Sequence, residues 1–94
     1  MSKEYYRKQI ATKRQEIVGL RADIVKLKEQ KAKRMQDLAR NIRNTTSKSS
    51  KETYRKQRIS ENERYTREIE RKTAKIDGIK KQIENDKKHL ANAK

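Results

Sequence analysis

Hydrophobic side chains recur along this chain at intervals of three and four residues, in two separate segments. In the first segment Ile10, Ile17 and Ile24 are seven residues apart, and Leu20 and Leu27 each follow three residues after an isoleucine. This spacing corresponds to the a and d positions of a heptad repeat, which lie on one side of an α-helix. The second segment repeats the pattern. The predicted helix–helix seam consists of Tyr6, Ile10, Ile17, Leu20, Ile24, Leu27, Leu38, Tyr65, Ile69, Ile76, Ile79, Ile83 and Leu90.

The residues between the two segments have a different character. Residues 44–50 are all Asn, Thr or Ser except Lys48. These short polar side chains compete for backbone hydrogen bonds and therefore disfavour a helix interior. Ser49 followed by Glu52 matches the capping box that begins many helices, and Ser2 can cap the first helix. The sequence therefore predicts two helices separated by a polar turn.

Two long helices joined by a short turn are expected to pack side by side and antiparallel. The predicted fold class is all-α, an antiparallel two-helix coiled-coil hairpin that can assemble further into a dimeric bundle. One continuous helix through the turn is the structural alternative. Met35, Ile42 and Ile59 lie one position off the heptad frame, which indicates a stutter near the turn. The predicted organisation is a single hairpin over residues 1–94, with helices at about 3–44 and 51–92 and a turn at 45–50.

Composition changes this interpretation in one respect. Charged residues make up 44% of the chain, which contains no Phe, Trp, Pro or Cys, and such a composition alone is typical of disorder. However, eleven of the fifteen Ile, Leu and Val residues lie on the two seams, which a disordered chain would not require. The absence of cysteine excludes disulfides and cysteine-based zinc sites. No apolar stretch is long enough for a membrane span or a signal-peptide core, so we expect a cytoplasmic protein.

A second row of small apolar residues lies outside the seam on the first helix. Its members share the heptad b position, which a lone hairpin would leave to polar side chains. The row has two interpretations: helix-favouring alanines with two incidental valines, or a packing face for another copy or a partner helix. This candidate partner face consists of Ala11, Val18, Val25, Ala32 and Ala39.

A basic row runs beside it at the e positions. The net charge of +15 predicts non-specific attraction to nucleic acid or anionic lipid, with a steep dependence on salt. The row also has two interpretations, a solvated helix face or a surface for acidic groups and phosphates. The candidate polyanion face consists of Arg7, Arg14, Arg21 and Lys28, flanked across the seam by Lys80 and Lys87.

The chain lacks any recognisable catalytic pattern. His89 is the only histidine, and no second metal ligand is spaced to join it. The two glycines, Gly19 and Gly78, are isolated within the helices and form no phosphate-binding loop. We therefore expect a non-enzymatic protein without catalytic residues, a metal site or a cofactor.

The order of these features resembles a known family. Residues 4–10 (EYYRKQI) lead into a heptad helix, and residues 45–50 (TTSKSS) precede a second one. This arrangement is similar to the N-terminal coiled-coil region that precedes the TIR domain in many bacterial TIR proteins. The resemblance implies a bacterial coiled coil that promotes self-association. In that family the TIR domain cleaves NAD, but these 94 residues contain no TIR domain, so no NAD-cleaving residue carries over.

A second resemblance is to the small helical partner proteins of LXG-type secreted toxins. It is carried by the Tyr5-Tyr6 pair and by the basic pair Lys13-Arg14. Three functions follow as expectations. The first is a coiled-coil module for self-association or for docking to a larger effector protein. The alternatives are non-specific polyanion binding and partnership with an LXG-type toxin.

Overall fold

The protein is an all-α helical hairpin, as the heptad pattern predicts. A computed structural model describes residues 2–93 and contains two helices, α1 (Lys3–Asn44) and α2 (Lys48–Asn92). Three residues, 45–47, connect them, so the alternative of one continuous helix is wrong. No helix within the described range combines the length and the apolar character needed to cross a lipid bilayer.

Serine side chains cap the start of both helices. The backbone N–H of Tyr5 donates to Ser2 Oγ at 3.3 Å, which places Ser2 at the N-cap of α1 as predicted. At the second helix the N–H of Ser50 donates to Ser47 Oγ at 3.3 Å. The helix-starting residue is therefore Ser47 and not Ser49. The predicted turn of 45–50 is too long, and α2 begins three residues before the expected start at 51, because Ser47 satisfies the exposed N–H group earlier.

The packing between the helices divides into two compact units. The terminal unit contains the residues up to Asp23 together with those from Arg71 onward, and the loop unit spans Ile24–Glu70. Both units contain a portion of each helix, so every inter-helix contact described below belongs to one unit or to the other.

In the terminal unit the helices run antiparallel around a core of isoleucines. Five seam residues are only 6% exposed, namely Ile10, Ile17, Ile76, Ile79 and Ile83. The Tyr6 ring stacks on the His89 ring, with centroids 5.3 Å apart and planes inclined by 15°. Lys13 Nζ donates to Asp86 Oδ2, and Lys72 Nζ lies 3.8 Å from Asp23 Oδ2. Residues near the start of α1 thus meet residues near the end of α2.

In the loop unit the same antiparallel arrangement surrounds Leu38, whose side chain is completely buried. Arg34 Nε donates to both carboxylate oxygens of Glu61, at 2.9 and 3.1 Å. This hydrogen bond is the main cause that raises the pKa of Arg34 above its ordinary value, so the guanidinium stays charged. Lys31 Nζ donates to Thr66 Oγ1 at 3.3 Å. Polar side chains therefore connect the helices where the apolar seam is weakest.

The thirteen seam residues are all removed from solvent to some degree. Besides the five buried isoleucines and Leu38, the remaining seven are half-buried: Tyr6, Leu20, Ile24, Leu27, Tyr65, Ile69 and Leu90. Near the turn the buried side of α1 widens, since Met35 and Ile42 are also half-buried. The predicted stutter fits this end of α1 but not α2, where Ile59 is 62% exposed.

Candidate functional site

A groove with basic edges lies between the two helices of the terminal unit. It has a volume of about 580 Å³. We call it the basic groove. It is lined by Arg14, Ile17, Val18 and Arg21 of α1 and by Lys80, Ile83, Glu84 and Lys87 of α2.

The floor of the basic groove is apolar. Ile17 and Ile83 belong to the seam and present only their edges, since each is 6% exposed. Val18 is 59% exposed and supplies most of the accessible apolar surface next to them. An exposed β-branched valine beside buried isoleucines extends the apolar surface beyond the seam, where a further side chain can pack.

The heptad geometry explains why basic side chains lie beside these apolar residues. Each residue of an α-helix is rotated by about 100° from the previous one, so an e position lies between the a and b positions of the same face. Arg14 and Arg21 therefore lie between Ile17 and Val18 around the helix. Lys80 and Lys87 occupy the same positions on α2, so the two basic rows flank one groove.

The charge of the basic groove is largely unbalanced. Lys87 Nζ lies 3.4 Å from Glu84 Oε1, which is the single acidic residue in the lining. Within residues 2–93, Arg14, Arg21 and Lys80 have no carboxylate within 4.0 Å. Three cationic side chains thus lie beside the apolar floor without forming an ion pair to any described residue.

In the structure, one groove joins two rows of residues that are separate in the sequence pattern. Val18 of the candidate partner face and four residues of the candidate polyanion face, Arg14, Arg21, Lys80 and Lys87, line the same groove. Arg7 and Ala11 are exposed elsewhere in the terminal unit.

The remaining members of both faces belong to the loop unit. Val25 is 54% exposed, and Ala32 is exposed as well. Ala39 is half-buried, because the apolar side of α1 widens around Leu38 and draws the neighbouring position inward. Ala39 is therefore a poor candidate for a partner surface.

Lys28 borders a second groove, of about 460 Å³, within the loop unit. Its lining residues are Lys28, Lys31, Ala32, Met35, Thr66, Ile69 and Glu70. Lys31 already donates to Thr66, and Glu70 supplies a negative charge, so this groove lacks the excess of cations found in the terminal unit. The basic groove is accordingly the stronger candidate for binding an acidic group.

No group of three or more His, Asp or Glu side chains between residues 2 and 93 is placed to hold a metal ion. His89 is exposed and stacks on Tyr6. Glu61 and Glu63 of α2 make different ion pairs: Glu61 binds Arg34 of α1, and Glu63 pairs with Arg67 at 3.4 Å on the helix surface.

Three inter-helix ion pairs among residues 2–93 were not predicted: Lys13–Asp86, Arg34–Glu61 and Lys72–Asp23. The heptad frame gives Lys13 and Asp86 as separate polar positions in the seams of α1 and α2. The structure pairs Lys13 with Asp86, and their side chains are 19% and 14% exposed. The signal was present in the antiparallel register, which sets these opposite charges in adjacent layers.

Comparison with protein-family models, with curated proteins and with solved structures gives no match for this chain. The resemblances to TIR-associated coiled coils and to partners of LXG-type toxins therefore stay predictions.

Proposed function

We propose that this chain is a non-enzymatic docking module, a helical hairpin that binds another helix through self-association or through a partner protein. The observation that carries the proposal is Val18, which is 59% exposed on the floor of the basic groove. The hairpin has already used its seam residues internally, so this floor is apolar surface left for a second molecule. The resemblance to TIR-associated coiled coils supports the same role, in which the partner is another copy or a larger effector.

Docking also fits the energetics of the hairpin. Only six side chains among residues 2–93 form the buried apolar core. A small apolar core rarely supplies a large margin of stability to a chain of this size. A helix packed on the groove would bury Val18 and the exposed edges of Ile17 and Ile83, and so would add to that core.

The test compares two lysine substitutions on α1 of the terminal unit. Val18→Lys places a charge on the groove floor, whereas Thr12→Lys adds the same charge at an exposed c position, away from the groove. Both residues are β-branched and exposed, so the two changes are matched. We expect circular dichroism to show near-native helicity for both variants, because neither position lies in the seam.

Sedimentation equilibrium then measures self-association of the two variants and the wild type. We expect Val18→Lys to abolish whatever association the wild-type chain shows, and Thr12→Lys to leave it unchanged. If the wild-type chain stays monomeric, the docking partner is a protein of different sequence. The docking function is wrong if Val18→Lys alters neither self-association nor the binding of helical probe peptides.

A second candidate function, non-specific polyanion binding, is favoured by the three cations that lack a counter-charge. Arg14→Gln combined with Arg21→Gln should lower affinity for duplex DNA and flatten the salt dependence by about 1 to 2 units of log–log slope. None of the eight residues lining the groove is aromatic, so base stacking has no platform there. A DNA affinity that is unchanged in the double variant would remove the groove from this function.

A further inference from the structure

The occupant of the basic groove can be inferred from its charge. Four of the eight lining residues are basic and one is acidic. Glu84 is already paired with Lys87, which leaves Arg14, Arg21 and Lys80 uncompensated. Packing two such grooves against each other would bring six uncompensated cations together, and like charges in a partly desolvated interface are destabilising. The groove therefore disfavours a second copy of itself and favours an acidic ligand.

The shape of the groove restricts the ligand further. Arg14 and Arg21 are seven residues apart, and so are Lys80 and Lys87, which corresponds to about 10.5 Å along a helix axis. Carboxylates at the same heptad position of an approaching helix repeat at the same distance. Ile17 and Ile83 lie between these basic rows, and Val18 lies on the other side of Arg14 and Arg21. The burial of these three apolar side chains stabilises the complex only if the ligand carries an apolar row.

From this geometry we infer that the basic groove binds an acidic amphipathic helix of another protein. The ligand helix carries an apolar row that packs on Val18 and on the edges of Ile17 and Ile83, together with Asp or Glu at heptad spacing that pair with Arg14, Arg21 and Lys80. The inference rests on the proposed docking function and names its partner class. Nucleic acid fits less well, because a phosphate backbone has no apolar row to cover the floor.

The experiment uses a synthetic helical probe of about four heptads with Leu at the a and d positions and Glu at e and g. Fluorescence anisotropy measures its binding to the full chain at several salt concentrations. The controls are the same peptide with Lys in place of each Glu, an unstructured poly-glutamate of equal charge, and a DNA duplex. Each is measured against wild type, Val18→Lys, Thr12→Lys and the Arg14→Gln, Arg21→Gln double variant.

We expect saturable binding of the acidic helix and none of the lysine peptide. Val18→Lys should lower the affinity for the acidic helix by about tenfold or more, which is typical for losing a central apolar contact. Thr12→Lys should leave this affinity unchanged. The arginine double variant should also weaken it, with a flatter salt dependence, because charge pairs at the rim are lost.

Other outcomes overturn the inference in distinguishable ways. Equal binding of poly-glutamate and the acidic helix, with no effect of Val18→Lys, means that charge alone acts. Tighter binding of DNA than of the acidic helix assigns the groove to polyanions. If the acidic helix does not bind but the chain self-associates through Val18, the partner is a second copy; this inference is then wrong while the docking function stands. If Val18→Lys changes neither property, both are wrong.

Discussion

Individual residues of this hairpin contribute unequally to its stability, and the two glycines are the simplest example. Gly19 and Gly78 both lie within helices of the terminal unit, and a Cβ atom added at either position would meet nothing within 4 Å. Neither glycine is therefore needed for packing inside the chain. Each only adds backbone entropy to the unfolded state, which costs helix stability.

Replacing either glycine by alanine should stabilise the protein. We expect Gly19→Ala and Gly78→Ala each to raise the free energy of unfolding by about 0.5–1 kcal/mol, measured by urea denaturation followed by circular dichroism. Ala22→Gly, at an exposed position of α1, is the reverse control and should lower it by a similar amount. A loss of stability in either alanine variant would contradict the open space around that glycine.

The ion pair between Lys13 and Asp86 is a second feature at the residue scale. Both side chains are mostly buried, at 19% and 14% exposure, so each buried charge depends on the other as its counter-charge. Asp86→Leu alone should lower the free energy of unfolding by about 1–3 kcal/mol, since it leaves the ammonium group without its partner.

A double variant isolates the interaction between the two charges from their contacts with other residues. Lys13→Leu combined with Asp86→Leu should recover most of the lost stability, because paired buried charges and apolar replacements are often nearly equivalent. Thermal and urea unfolding of the wild type, both single variants and the double variant give the coupling energy. If the effects of the two single substitutions on the free energy of unfolding simply add up in the double variant, the two side chains do not interact directly.

At the scale of the elements, heptad spacing was sufficient to predict both helices and the residues on their shared side. The seven-residue intervals from Ile10 to Ile24 and from Ile69 to Leu90 depend only on helix geometry, which the sequence expresses directly. The start of α2 was not predictable with the same accuracy, because Ser47, Ser49 and Ser50 can all cap a helix. The choice depends on which hydroxyl meets a free N–H group in three dimensions.

Only part of the basic groove could be predicted from the sequence, for a related reason. The basic and apolar rows are visible in the sequence one helix at a time, but their union into one groove depends on how α2 places Lys80 and Lys87 against Arg14 and Val18. The departure of Ala39 from the exposed row likewise depends on the complete burial of Leu38 beside it.

The N-cap of α2 provides a test at this scale. Ser47→Ala should lower the free energy of unfolding by about 1 kcal/mol, because the N–H of Ser50 loses its acceptor. Ser49→Ala is the matched control two residues later and should be nearly neutral or slightly stabilising, since Ser49 lies inside the helix. Urea unfolding compares the two variants. Equal losses in the free energy of unfolding would show that Ser47 is not the N-cap of α2.

At the scale of the whole molecule, the two units differ in how much chain separates their contacting residues. In the loop unit, Arg34 and Glu61 are 27 residues apart and Lys31 and Thr66 are 35 apart. In the terminal unit, Lys13 and Asp86 are separated by 73 residues. The entropy lost on closing a loop increases with its length, so the contacts of the two units form at different cost.

This difference has a kinetic consequence. The loop unit is expected to form in the folding transition state, with the terminal unit added afterwards in the manner of a zipper closing from the turn. Leu38→Ala should therefore mainly slow folding, whereas Ile83→Ala should mainly accelerate unfolding. Stopped-flow chevron measurements on both variants test this order, and the reverse assignment would contradict it. A chain that closes in this order completes the basic groove last, so binding at that groove acts mainly on the rate of unfolding.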